Sequence, residues 1–130
     1  MRKKLFSGSK WEDIVGYSRA VRVGNIIEIS GTVAVTNSGE IVGEGDAYLQ
    51  TRFILMRIQN ALEQMGASIE DVVRTRMFVK DIKQWESIGK AHAEFFEEIK
   101  PCTSMLEVSA MIEEAYLVEI EATAILSNGD

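Results

Sequence analysis

Residues 116–126 read YLVEIEATAIL, and the alternation within them constrains the fold more than any other stretch. Successive side chains of a strand point to opposite faces. One face therefore carries Val118, Ile120, Ala122, Ala124 and Leu126, a core surface. The other carries Leu117, Glu119, Glu121, Thr123 and Ile125, where apolar groups mix with carboxylates. Such a mixture suits a subunit interface or a cleft, with a solvated face as the alternative.

The rest of the chain supplies partners for that strand. In residues 21–35, VRVGNIIEISGTVAV, two β-branched runs flank Gly24-Asn25, a frequent tight-turn pair, and predict a hairpin. Ile54, Ile58, Leu62 and Met65, flanked by Leu55 and Ala61, recur at helical spacing, and Gly66 stops that helix. In residues 72–80, VVRTRMFVK, Val73, Thr75, Met77 and Val79 alternate with Arg74, Arg76, Phe78 and Lys80, as a strand with one apolar face does. Trp85, Ile88, His92, Phe95 and Ile99 trace a second helix, with Asp81 near its start and Lys100-Pro101 beyond its end. A further strand is expected over TSMLEV at 103–108. The order is strands, helix, strand, helix, strands, an α+β domain with a mixed sheet and two helices on one face. The second face must then be solvated, capped or buried against another subunit.

The 130 residues fit one domain, 1–130, with no linker or low-complexity segment. Fourteen Lys and Arg stand against 20 Asp and Glu, a net charge of -6 that disfavours a phosphate backbone, so no nucleic-acid partner is expected. Apolar stretches are short and broken by charge, and the opening MRKK is not followed by the apolar run of a signal peptide. The expectation is a cytoplasmic protein with no membrane partner. One cysteine, Cys102, and one histidine, His92, give neither an internal disulfide nor the usual zinc ligands, and no metal or other cofactor is expected.

Several residues invite a chemical reading that the pattern does not support. His92 lies on the apolar helix stripe and reads as a core or core-margin residue, lacking an orienting partner in the sequence. Cys102, beside a strand start, reads as a small packing residue. The glycines of SGEIVGEGD, residues 38–46, lack a following Lys-Ser/Thr and are flanked by acids, so the segment is a loop and not a phosphate cradle. Glu121 is expected in a cross-strand ion pair with Arg74 or Arg76.

The segment GYSRAVRVGNIIEISG at 16–31 resembles the opening signature of the RidA family, also called YjgF or L-PSP. DVVRTRMFVKD at 71–81, AEFFEEIKP at 93–101, LEV at 106–108 and VEIEATA at 118–124 continue the resemblance in order and spacing. It implies a chorismate-mutase-like α+β fold in a homotrimer, with a central β-barrel and ligand clefts between neighbouring subunits. Members of the family hydrolyse reactive enamines and imines to 2-keto acids and ammonia. An arginine grips the substrate carboxylate and a glutamate positions water.

Carried onto this chain, the resemblance makes Glu119 the water-positioning residue and places Tyr17, Ser30, Gly31 and Phe78 in the cleft. Three positions depart from the deaminating members. Thr103, two residues after Pro101, replaces the arginine; Met105 replaces a common cysteine; Gly89 stands where asparagine is usual. A threonine hydroxyl offers one neutral hydrogen bond where the arginine offered a charged fork, which costs an anionic ligand several kcal/mol. Arg19 lies on the same side of an extended segment as Tyr17, and either supplies the missing cation or is a solvated strand residue. The functional expectation is a divergent enamine or imine deaminase acting on a small molecule between subunits. The alternatives are a metabolite-binding or regulatory trimer without chemistry and, ranked last, an endoribonuclease or translation inhibitor.

Overall fold

The computed structural model describes residues 2–127; residues 1 and 128–130 of the expected domain lie outside the described residues. Six strands form one mixed sheet: β1 (Arg2–Leu5), β2 (Ala20–Val23), β3 (Ile26–Thr32), β4 (Val72–Val79), β5 (Cys102–Glu107) and β6 (Val118–Ile125). Their spatial order is β1-β2-β3-β6-β4-β5. Only the β4–β5 pair is parallel; the others are antiparallel. The last strand in sequence thus becomes a central one.

Two helices, α1 (Ala47–Gln64) and α2 (Trp85–Phe96), pack on one face of the sheet. The stripe of α1 buries Ile54, Leu55, Ile58 and Leu62 completely against Ile27, Met77, Val79, Val118, Ile120 and Ala124. Each such aliphatic side chain contributes roughly 1.5–3 kcal/mol on burial. Asp46 caps α1 by accepting from Leu49 N at 3.0 Å. Gly66, at φ 85, ends it in the left-handed conformation that glycine adopts without strain. The hairpin, both helices and the core face of the final strand match the sequence pattern.

Several expectations need correction. β1 was not foreseen: its burial is almost wholly exposed, so RKKL carries no period-2 apolar signal. β3 stops at Thr32 and not near residue 35; Val35 makes only an isolated bridge to Ile41. In β4 the buried residue is Val72, while Val73 is 41% exposed, because the pairing with β6 shifts between Val72 and Arg74. One extra residue turns each side chain beyond it to the other face. Trp85 is 57% exposed at the start of α2 and takes no part in the core stripe. The helix ends at Phe96, three residues before Ile99, and Lys100 adopts φ 52 with its N–H bonded to Phe96 O at 2.8 Å. A left-handed residue followed by proline closes the turn and launches β5.

The helix-free face holds the second side of β6. Across it, Val23, Ile26 and Ile125 are in cross-strand register and are 44%, 49% and 46% exposed. Phe78 pairs with Glu119 on one side and with Leu106, 56% exposed, on the other. Arg76 and Glu121 face each other at 3.8 Å, the loose, half-exposed pair expected there.

Candidate functional site

Five of the expected site residues converge where β3 meets β6. Ile29 pairs with Ala122 and Thr32 with Ile120, so β3 carries one residue more than its partner at Ser30–Gly31. This bulge brings the Gly31 backbone against the Glu119 side chain: a Cβ on Gly31 would overlap Glu119 Oε2 and lie 3.0 Å from Cδ. The segment before β2 is fastened alongside. Arg19 N donates to Leu5 O at 2.8 Å, Ser30 N to Arg19 O at 3.0 Å, and Ser30 Oγ to Ser18 O at 2.6 Å.

That fastening holds Arg19 inside. Its side chain is 7% exposed and donates through Nη2 to Gly31 O at 2.6 Å, and its Cζ lies 6.0 Å from the Tyr17 ring centroid. Arg19 is therefore not a solvated strand residue. Burial lowers its affinity for the proton, and Tyr17, Glu12 and Glu119 oppose that effect. Glu119 is half-buried, and burial raises its carboxyl above the usual glutamate value; the charge of Glu121 adds to the rise and that of Arg19 counters it. A carboxylate raised in this way accepts a proton more readily near neutral pH.

A cavity of about 510 Å³ opens beside this group, with Tyr17, Arg19, Gly31, Arg57, Glu113 and Tyr116 in its wall. Its floor depends on Gln50, which is fully buried on α1. Gln50 Nε2 donates to Ala115 O and Gln50 Oε1 accepts from Leu117 N, both at 2.9 Å, so the helix grips the segment that leads into β6. A single π-helical turn over Glu12–Gly16 delivers Tyr17, whose N–H bonds to Glu12 O at 3.0 Å. Glu12 is itself buried and accepts from Ser7 N and Ser7 Oγ.

Gly89, on α2, and Thr103 and Met105, on β5, lie apart from this group. Thr103 and Met105 pair with Thr75 and Met77, whose side chains are buried on the helix side of the sheet. Glu119 and Phe78 lie on the opposite side. Gly89 on α2 has open space where a side chain would stand. Within one chain, then, the structure joins Tyr17, Arg19, Ser30, Gly31 and Glu119, sets Phe78 beside Glu119, and separates Gly89, Thr103 and Met105 from them.

The sequence profile of the family described as endoribonuclease L-PSP matches residues 8–126. The chain belongs to this family, also called YjgF. A structure of a YjgF/YER057c/UK114 member from Mycobacterium tuberculosis is 47% identical, with a TM-score of 0.89 over 97% of this chain and 100% of that one. The YjgF product of E. coli is 28% identical, with a TM-score of 0.83 over 96% and 98% of the two chains. Among sequence relatives, the 3-aminoacrylate deaminase RutC of Acinetobacter baylyi is 32% identical over 108 residues, 83% of this chain and 85% of its own length.

Within this YjgF-type scaffold, His92 has a partner that the sequence did not reveal. It is buried as expected, 8% exposed, but its Nε2 lies 2.9 Å from Thr75 Oγ1, which donates to Thr103 Oγ1 at 2.6 Å. A threonine hydroxyl has one proton to give. With Thr75 donating to Thr103, a His92 ring protonated at Nε2 completes the chain by donating to Thr75. Arg57, Glu113 and Tyr116 were also missed. Arg57 flanks the α1 stripe at a position where arginines usually reach solvent, and the other two sit in a connection without periodicity. Among the described residues, no group of three or more His, Cys, Asp or Glu residues is arranged to hold a metal ion. Among the described residues, no helix is long and apolar enough to cross a membrane.

Proposed function

We propose that this YjgF-family protein is a hydrolytic deaminase of small enamine or imine intermediates, yielding a carbonyl product and ammonia. The observation that carries the reading is Glu119: a half-buried carboxylate with a raised pKa, pressed against Gly31 and countered by the buried cation Arg19. The kinship with a 3-aminoacrylate deaminase supports the same chemistry.

In the proposed reaction, Arg19 anchors the substrate's carboxylate and Tyr17, Ser30, Phe78 and the Gly31 backbone shape the space around its C=N bond. Water attacks the imine carbon as Glu119 takes a proton from it. Glu119 passes that proton to the nitrogen to give the carbinolamine, then takes the hydroxyl proton and delivers it to the same nitrogen as the C–N bond breaks, so that ammonia leaves and the oxygen becomes the carbonyl. Atoms balance as imine plus water giving carbonyl plus ammonia, with no cofactor.

The working form is a cytoplasmic homotrimer, its helix-free sheet faces turned inward as a barrel. Exposed Val23, Ile26, Ile125 and Leu106 on that face support the assembly. So does the separation of the two residue groups, because a neighbour can bring Gly89, Thr103 and Met105 to the Glu119 side of the next chain. The neutral Thr103 in the family's arginine position favours a second reading, a trimer that binds a metabolite without turning it over.

The test is 2-keto acid release from imines generated in situ by an amino acid oxidase. Acceleration over a buffer blank, lost in Glu119→Ala, is expected. No acceleration by the unmodified protein would transfer the weight to the binding trimer.

A further inference from the structure

Arg19 and Arg57 are both withdrawn from solvent, yet among the described residues neither has a carboxylate within 4.0 Å, in contrast to Arg52, Arg76 and Lys80. Buried charges are ordinarily paired, because losing hydration is costly without a counter-charge. Each guanidinium is instead tethered by one nitrogen to a backbone carbonyl. Arg19 Nη2 reaches Gly31 O at 2.6 Å, and Arg57 Nη1 reaches Val33 O at 3.0 Å, two residues further along the same segment. Arg19 Nε is fully buried and has no hydrogen-bond partner. Burial, and then the charge of Arg19, pushes Arg57 below the ordinary arginine value.

The space around this pair has two lobes that share both arginines. The larger lobe, about 510 Å³, has Tyr17 and Gly31 in its wall. The smaller lobe, about 320 Å³, lies between the chain's first segment and α1. Its wall holds Asn60, Gln64 and Asn37 as polar groups and Phe6, Phe53 and Val35 as apolar ones, and contains no Asp or Glu. In a protein of net charge -6, this is a locally cationic recess whose wall mixes polar and apolar side chains. The opposing charges that act on Arg19 are Glu12, whose oxygens are occupied by Ser7, and Glu119 across the bulge; Glu113 stands in the wall of the larger lobe.

We propose that Arg19 and Arg57 together bind the carboxylate of a small organic acid, whose hydrocarbon part lies in the smaller lobe against Phe6, Phe53 and Val35. The tethers leave the remaining N–H groups to donate and fix the planes of both forks, so little side-chain entropy is lost on binding. Phe6, Phe53 and Val35 in the wall favour an organic carboxylate over an inorganic oxyanion of the same charge. The site extends the role proposed for Arg19, on which it rests in part, to Arg57 and to the ligand's chemistry.

Titration calorimetry on the full-length protein tests it with three probes: butanoate, its neutral isostere butanamide, and inorganic phosphate. Butanoate is expected to bind at least tenfold more tightly than either of the others, and Arg57→Gln to reduce that affinity at least tenfold. Arg57→Lys keeps the charge without the fork and is expected to fall between; it also serves if Arg57→Gln does not fold. Equal binding of butanoate and butanamide, or unchanged affinity in both Arg57 variants, overturns the site. Phosphate binding as tightly as butanoate overturns the ligand class. Glu119→Ala separates the two readings: butanoate affinity is retained there if the anion site stands, whether or not the protein deaminates.

Discussion

Gly31 and Glu119 are packed so closely that no side chain fits between them; a methyl group on Gly31 would overlap the Glu119 carboxylate. Gly31 does not occupy a positive-φ conformation, so alanine is not strained there by its backbone. What must move is the far end of a flexible glutamate. Gly31→Ala is therefore expected to leave the melting temperature unchanged or slightly raised, since alanine loses less chain entropy than glycine by roughly 0.5–1 kcal/mol. Deamination is expected to fall about 100-fold, the scale of a displacement of about 1 Å at a reacting group. A large fall in melting temperature with unchanged specific activity would refute the positioning role.

The raised carboxyl of Glu119 gives the reaction a pH signature. As a base, Glu119 works only when deprotonated, so kcat/KM is expected to drop on acidification through a value above the ordinary glutamate reference of 4.5. Arg19 is the charge that lowers the Glu119 value. Removing it in Arg19→Gln therefore moves the acid limb to higher pH, beyond any loss of substrate affinity. A pH–rate profile of both proteins reads this directly, and a limb that shifts downward in the variant contradicts the electrostatic coupling.

The fold was legible wherever burial left a period. α1 and the core face of β6 are single-sided, and Ile54, Ile58, Leu62 and the Val118-to-Ala124 series show it in the chain alone. β1 was invisible because an edge strand of Arg and Lys has no buried face, and the exchange of Val72 for Val73 was invisible because a bulge leaves the alternation intact while reversing its sense. The site divides in the same way. Tyr17, Ser30, Gly31 and Glu119 came from the family resemblance, whereas their contact depends on one extra residue in β3. Arg57 and the Thr75–His92 bond depend on which helix crosses which strand, information that no local spacing holds.

His92 links the core to the β5 edge, and its titration tests that link. Burial lowers its pKa below the reference of 6.5, so the unfolded chain takes up a proton before the folded chain does. Stability contributed by neutral His92 is present above 6.5 and is lost as pH falls through the folded-state value. The slope from this one proton is at most about 1.4 kcal/mol per pH unit. Urea midpoints at pH 7.5 and 5.5 are expected to differ more in the unmodified protein than in His92→Gln, which keeps a polar partner for Thr75 without a titrating ring. Equal differences would mean that burial does not keep His92 from charging.

Gln50 supports the site without lining its chemistry. Its amide is the bridge between α1 and the two residues on either side of Tyr116, and it is fully buried. Gln50→Leu fits the volume but strands the Ala115 carbonyl and the Leu117 N–H, a loss of about 1–3 kcal/mol. Because Tyr116 sits between those two residues and in the wall of the cavity that opens beside Glu119, the variant is expected to slow deamination as well as to lower the melting temperature. A melting temperature that rises in Gln50→Leu would show that apolar packing outweighs the bridge. Activity that is unaffected while stability falls would show that β6, and not α1, sets the position of Tyr116.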